Sequence, residues 1–156
     1  MSRFWTYGCL FFLCLALQGS LIFSLPKPLA FIPLMFIVGV LITHRSESVY
    51  GAVWFLLSAV LLPLFGAGPG TFISYIAVAI VSLLVTDRLF ANRSVYALIG
   101  LGGTLFLAYA FSRFLFFATI NVYLYGLLFT VIGLYFGYVA SRYIERLESQ
   151  LFLIRS

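Results

Sequence analysis

Charge is what this sequence has least of. Nine basic and four acidic residues amount to 8% of its 156 positions, against roughly a quarter in soluble domains. That scarcity excludes a soluble domain, because a chain folded in water still needs a polar exterior. Cysteine is rarer still, with two residues. Cys9 and Cys14 fall in one apolar block, at a separation that shares no helical face. They read as small apolar packing residues rather than a disulfide or a metal pair. The one histidine, His44, sits beside Arg45 at the end of an apolar block and reads as a solvated loop residue. The acids are Glu47, Asp87, Glu145 and Glu148, all at block edges, so none pairs at mid-depth as proton-coupled transport would need. No His-x-x-x-His, Cys-x-x-Cys or Gly-x-Ser-x-Gly pattern occurs, which leaves hydrolytic and metal chemistry without its groups. An enzyme is therefore not expected, nor a cofactor or a metal.

What is present is apolar. Hydrophobic residues are 64% of the chain and mean hydropathy is +1.17. Crossing a hydrocarbon core of about 30 Å takes roughly 20 apolar residues, and six such spans would consume nearly the whole chain. The expected fold is an all-α membrane protein, a six-transmembrane-helix bundle over residues 1–142. The spans are read at 5–25, 29–43, 49–65, 71–85, 95–111 and 117–140, the sixth most apolar from residue 122. Spans 2 and 4 are short, so their helices are expected to extend into flanking polar residues, with Lys27, Arg45 and Arg88 reaching back to the headgroups. A re-entrant segment is the other reading of these two. Pro63 kinks or stops span 3, and a Gly- and Pro-rich turn over 66–70 follows it. The first block is too long for a signal-peptide core and is followed by Pro26, Lys27 and Pro28 rather than a cleavage site, so a retained first span is expected.

The basic residues separate cleanly. Six spans place Arg3, Arg45, Arg88, Arg93, Arg142, Arg146 and Arg155 on one side, and only Lys27 and Arg113 on the other. The excess of basic residues marks the cytoplasmic side, so both termini are expected there. In a soluble protein a net charge of +5 would suggest nucleic acid. Here the charge lies in loops, where it sets topology and meets anionic lipid, and no nucleic-acid partner is expected. In the last stretch, 143–156, Tyr143, Ile144, Leu147, Leu151 and Ile154 alternate with Glu145, Arg146, Glu148 and Arg155. This reads as span 6 continuing as a short cytoplasmic amphipathic helix, resting on lipid or taking a partner.

Several residues are candidates for contact. Arg113, among Phe111, Phe114, Phe116 and Phe117, is either an outer-interface arginine in an aromatic belt or a buried cation for a partner or anionic ligand. Asn121, Tyr123 and Tyr125 lie close enough in sequence to share either role. Small residues recur in spans 5 and 6. Gly133 and Gly137 form a Gly-x-x-x-Gly pattern that permits close helix approach, inside the bundle or to another chain. Asn92-Arg93-Ser94 precedes span 5, where Asn and Ser commonly cap a helix and Arg93 faces lipid or a partner. Eighteen Phe and ten Tyr are mostly accounted for by core packing and lipid-facing bulk.

The run Asp87-Arg88-Leu89-Phe90-Ala91-Asn92-Arg93-Ser94-Val95-Tyr96-Ala97-Leu98 resembles the "aromatic, small, Asn-Arg-Ser, apolar" segment of short bacterial proteins related to the rod shape-determining protein MreD. The layout is also similar to that family: six spans, cytoplasmic termini, a Pro/Gly turn between spans 3 and 4 and a basic loop before span 5. Relatives often carry an Asp late in span 3, whereas residues 60–63 here have none. The resemblance implies a non-enzymatic scaffold of the cell-elongation machinery in the bacterial inner membrane. Its implied partners are the lipid bilayer, a bitopic MreC-like protein and other elongation components, with Arg88, Asn92, Arg93, Ser94, Arg113, Gly133 and Gly137 as interface candidates. The family's helical arrangement is similar to that of substrate-binding subunits of energy-coupling-factor transporters. The alternative it supplies is a small-molecule-binding subunit with a site lined by Thr71, Ser74, Tyr75, Asn121 and Tyr123. A lipid-flipping or small transport protein is a third class.

The topology can be checked with reporter fusions. A cytoplasm-active reporter is expected to work when fused after residue 156 or within 90–93, and to fail within 66–70. Activity at 66–70 would refute the six-span count.

Overall fold

The computed structural model describes residues 3–26, 29, 32–46, 48–67, 70–89, 94–114 and 120–155; side chains at 3–4, 87–89, 113–114, 120–123 and 145–155 lie outside that description. The described chain forms six α-helices: α1 (Arg3–Ala16), α2 (Leu34–Arg45), α3 (Ser48–Leu61), α4 (Gly70–Leu89), α5 (Val95–Phe114) and α6 (Ile120–Arg155). Four segments are long and apolar enough to cross a bilayer: Trp5–Ser24, Ser48–Phe65, Val95–Ser112 and Leu124–Ile144. Large apolar side chains such as Leu107, Phe111 and Phe136 stand exposed on them. In water that surface would aggregate, and in lipid it is solvated. The chain is a membrane protein.

The helix ends follow from local chemistry. α1 runs on through a π-helical turn, Leu17–Leu21, and a 3-10 turn, Ile22–Ser24. α3 tightens into a 3-10 turn, Leu62–Phe65, with Pro63 at its start, and Gly66 ends it at φ 91°. A left-handed backbone there favours glycine, and Pro63 stops the helix as expected. Ser94 caps α5, its Oγ accepting from the Ala97 N–H at 3.2 Å. α4 extends through 86–89 into the polar residues, as expected of a short apolar block. α6 is unbroken from Ile120 to Arg155.

Span 2 departs from its expected bounds of 29–43. α2 begins only at Leu34, with Pro33 as its N-cap. A helix entering at residue 29 would carry Pro33 in its interior, where the ring meets the carbonyl four residues back and the ring nitrogen has no hydrogen to donate. At its other end α2 takes in His44 and Arg45, and His44 is buried in that last turn rather than solvated in a loop as expected. Its twelve residues span about 18 Å.

This short helix is the centre of the bundle and packs against all five others. Only the Leu34, Val38, Leu41, Arg45 stripe is half-exposed; the rest of α2 is buried. Glycines set the close approaches. A Cβ on Gly133 would lie 2.6 Å from Ile37, and one on Gly137 would collide with Leu41. The Gly-x-x-x-Gly face is therefore the seat of two α2 side chains one helical turn apart. On the opposite side a Cβ on Gly51 of α3 would collide with Thr43. Gly102 of α5 receives Leu134 of α6, 2.5 Å from an added Cβ. The Ile37–Gly133 and Leu41–Gly137 pairs run α6 parallel to α2.

Aromatic rings fill the space between α2, α3, α4 and α5. Phe36 has ring centroids of Phe55, Phe106 and Tyr109 at 5.9, 6.0 and 5.6 Å. Tyr75 closes the set at 6.1 Å from Phe55 and 5.6 Å from Tyr109. Cys14 is buried in the core and Cys9 is exposed; both are free thiols.

The glycine seats predict a contrast. Gly51→Ala and Gly133→Leu should each cost about 1–3 kcal/mol by overpacking. Gly103→Ala, where an added Cβ meets nothing within 4 Å, should instead stabilise by roughly 0.5–1 kcal/mol through helix propensity. Thermal unfolding in detergent followed by circular dichroism reads both signs.

Candidate functional site

The interface candidates do not converge. Arg88 lies in the last turn of α4, its side chain outside the described residues. Asn92 and Arg93 also lie outside them. Ser94 is held as the α5 cap. Arg113 is at the far end of α5, about 28 Å from Ser94 at 1.5 Å per residue, with its side chain outside the described set, as are those of Asn121 and Tyr123. Phe116, Phe117 and Lys27 lie outside it altogether. Gly133 and Gly137 sit on the α6 face that α2 occupies. Arg88 and Ser94 share one end of the bundle and Arg113 lies at the opposite end.

Most buried hydroxyls are satisfied by their own helices. Thr43 donates to the Gly39 carbonyl at 2.8 Å, Ser58 to Trp54 at 2.8 Å, Ser82 to Ala79 at 2.8 Å, and Thr130 to Gly126 at 2.7 Å. Ser74 donates to Gly70 at 2.9 Å. Such back-bonding hides a hydroxyl in apolar surroundings and leaves no donor directed at a ligand. Thr71 differs: its Oγ1 is buried with no hydrogen-bond partner. Among the described residues no group of three His, Cys, Asp or Glu side chains could hold a metal ion.

The polar contacts that do cross between helices gather on α2. Gln18 projects from the π-helical turn of α1 and is 5% exposed. Its Nε2 donates to the Ile32 carbonyl at 3.0 Å, and its Oε1 accepts from the Met35 N–H at 3.4 Å. Trp54 Nε1 of α3 donates to the Met35 carbonyl at 2.9 Å. Both backbone groups of Met35 are thus held by side chains from two neighbouring helices. A helix start leaves N–H groups without intrahelical acceptors, and hydrocarbon offers them none. Gln18 supplies what the Pro33 break removes. At the opposite end of α2, the Tyr7 hydroxyl bonds the Ser46 hydroxyl, tying α1 to the α2–α3 turn.

Gln18, Trp54 and Met35 are not among the candidate residues that the sequence singles out. The available signal was a lone amide inside an apolar run, a residue that hydrogen-bonds across helices in membranes. Its partner could not be read, because Ile32 and Met35 lie 14 and 17 positions away.

Among the described residues, apolar clefts open on the flanks. One, of about 330 Å³, lies between α1 and α3 beside Cys9, Tyr50 and Trp54. Another, of about 440 Å³, lies between α5 and α6. No family profile, characterised protein or solved structure matches the chain.

Gln18→Leu is expected to destabilise the bundle by about 1–3 kcal/mol, since it strips the buried Met35 N–H of its acceptor and the Ile32 carbonyl of one of its two donors. Trp54→Phe keeps most of the ring and should cost about 1 kcal/mol. Because the two act on one residue, the double variant should depart from additivity. Chemical unfolding of the four proteins in detergent measures this, and strict additivity would refute a shared clamp.

Proposed function

We propose that this chain is a non-enzymatic scaffold of the bacterial cell-elongation machinery, similar to MreD, that works through helix faces and loops. In this reading six helices cross the inner membrane with both termini in the cytoplasm. A bitopic MreC-like protein binds the exposed surface, and the 87–94 segment, with Arg88, Asn92 and Arg93, is the polar part of the contact.

The observation that carries this reading is how the buried polar groups are used. Most of them back-bond to their own helices or clamp α2 and so serve packing. The ring cluster around Phe36 fills the middle of the bundle between α2 and α5. With the interior given to packing, the outer surface is left for partners. The buried Thr71 hydroxyl without a partner favours the alternative, a small-molecule-binding subunit of an energy-coupling-factor-type transporter.

Mild-detergent copurification from native membranes, with mass spectrometry of proteins and small molecules, separates the two. Enrichment of a single-span protein with an external coiled coil, together with elongation enzymes, is the expected result. Arg88→Ala with Arg93→Ala should lower that recovery roughly tenfold, as loss of arginine anchors does at interfaces. A stoichiometric small molecule with an ATPase module would overturn the scaffold in favour of the transporter subunit.

A further inference from the structure

Ser58, Ser74, Ser82, Thr86, Ser112 and Thr130 are buried, and each donates to a carbonyl three or four residues back on its own helix. Thr71 is as deeply buried, at 2% exposed, yet its Oγ1 has no hydrogen-bond partner. Position explains the difference. α4 begins at Gly70, so the carbonyl four residues back, on Ala67, lies ahead of the helix. The back-bond open to a buried hydroxyl deeper in a helix is closed to this one.

The same turn has a second unmet need. A helix start leaves its first N–H groups without intrahelical acceptors. A Ser, Thr, Asp or Asn just before it commonly supplies one, as Ser94 does for α5. The residues leading into α4 are Gly66-Ala67-Gly68-Pro69-Gly70, and none has a side-chain oxygen. Three of the five are glycine, which puts no side chain in the way of an approaching group. A helix start behind a glycine-rich turn suits an oxyanion, favoured both by the N–H groups and by the helix dipole.

Charge at this end has one sign. Tyr75 lies one turn after Thr71, and its ring centroid is 5.6 Å from that of Tyr109 on α5. That contact, with the short link from Leu89 to Val95, sets the first turn of α4 beside the last turn of α5, where Arg113 lies. Residues 70–86 and 95–114 contain one charged residue, Arg113. Ser112, also in that turn, gives its proton to the Ala108 and Tyr109 carbonyls. The 20 residues of α4 rise about 30 Å, the thickness of a hydrocarbon core. Its start therefore lies at the depth of lipid phosphates.

We propose that the first turn of α4 binds a phosphate group, with the Thr71 hydroxyl and the N–H groups of the turn donating to its oxygens. A lipid headgroup and a soluble phosphate present the same oxygens to this site. The site is independent of the scaffold reading, whose polar contact, 87–94, is at the other end of α4.

The test is calorimetric titration of the protein in a neutral maltoside detergent with inorganic phosphate and, separately, with short-chain phosphatidylglycerol. Saturable binding of the lipid alone assigns the site to a headgroup, and binding of inorganic phosphate assigns it to a soluble ligand. Thr71→Val should raise the dissociation constant about tenfold or more, the effect of losing a hydrogen bond to a charged group. Thr71→Ser should bind like the parent. Without ligand, Thr71→Val should unfold at no lower a temperature than the parent, because the hydroxyl it removes makes no bond in the folded protein. Binding of neither probe would overturn the proposal. So would a Thr71→Val protein that binds as tightly as the parent.

Discussion

A bilayer gives a peptide group nothing to bond to, and the start of α2 is where this chain meets that constraint. Pro33 breaks the backbone pattern there, at a helix start whose N–H groups already lack intrahelical acceptors. Each unsatisfied group would cost several kcal/mol in hydrocarbon. Gln18 covers one N–H and one carbonyl with a single amide, and Trp54 adds a bond to the Met35 carbonyl. The π-helical turn that carries Gln18 belongs to the same solution. A π turn inserts an extra residue into a helix and redirects its side chains, and here the redirected side chain reaches the break.

Once α2 is held at its start, the other helices can be placed around it. It is too short to cross alone, yet it touches every other helix. Its neighbours meet it through glycine, at Gly51 on α3 and at Gly133 and Gly137 on α6. Apolar side chains gain nothing by leaving lipid for one another, so helices in a bilayer associate through close packing and hydrogen bonds. Small residues that let backbones approach, together with a few interhelical bonds, are what hold this bundle. The Phe36 cluster adds dispersion contacts among α2, α3, α4 and α5.

Much of this architecture was legible in the sequence. Six apolar blocks became six helices. Pro63 ended α3, Ser94 capped α5, and Gly133-x-x-x-Gly137 proved to be a close-packing face. All of these depend on residues near in sequence. The start of α2 was misplaced because the apolar run from 29 hides how far Pro33 reaches back along a helix. The Gln18 clamp was missed because an amide's role in a membrane depends on which backbone groups lie opposite it. Likewise the glycine pattern announced a close neighbour without naming Ile37 and Leu41. The interface candidates around 87–94 were chosen for their motif, and of these the fold shows only the cap at Ser94 and the helical turn that carries Arg88.

α6 carries one further consequence. Its 36 residues measure about 54 Å, and its apolar stretch ends at Ile144. No break separates that stretch from 145–155, so the helix is one lever. Its inner arm is clasped to α2 by Gly133 and Gly137, and its outer arm extends past the apolar region. A rigid helix transmits displacement along its length. With no hinge in between to absorb it, a load on the tail is borne at the glycine clasp, and so by the central helix on which the other five are stacked.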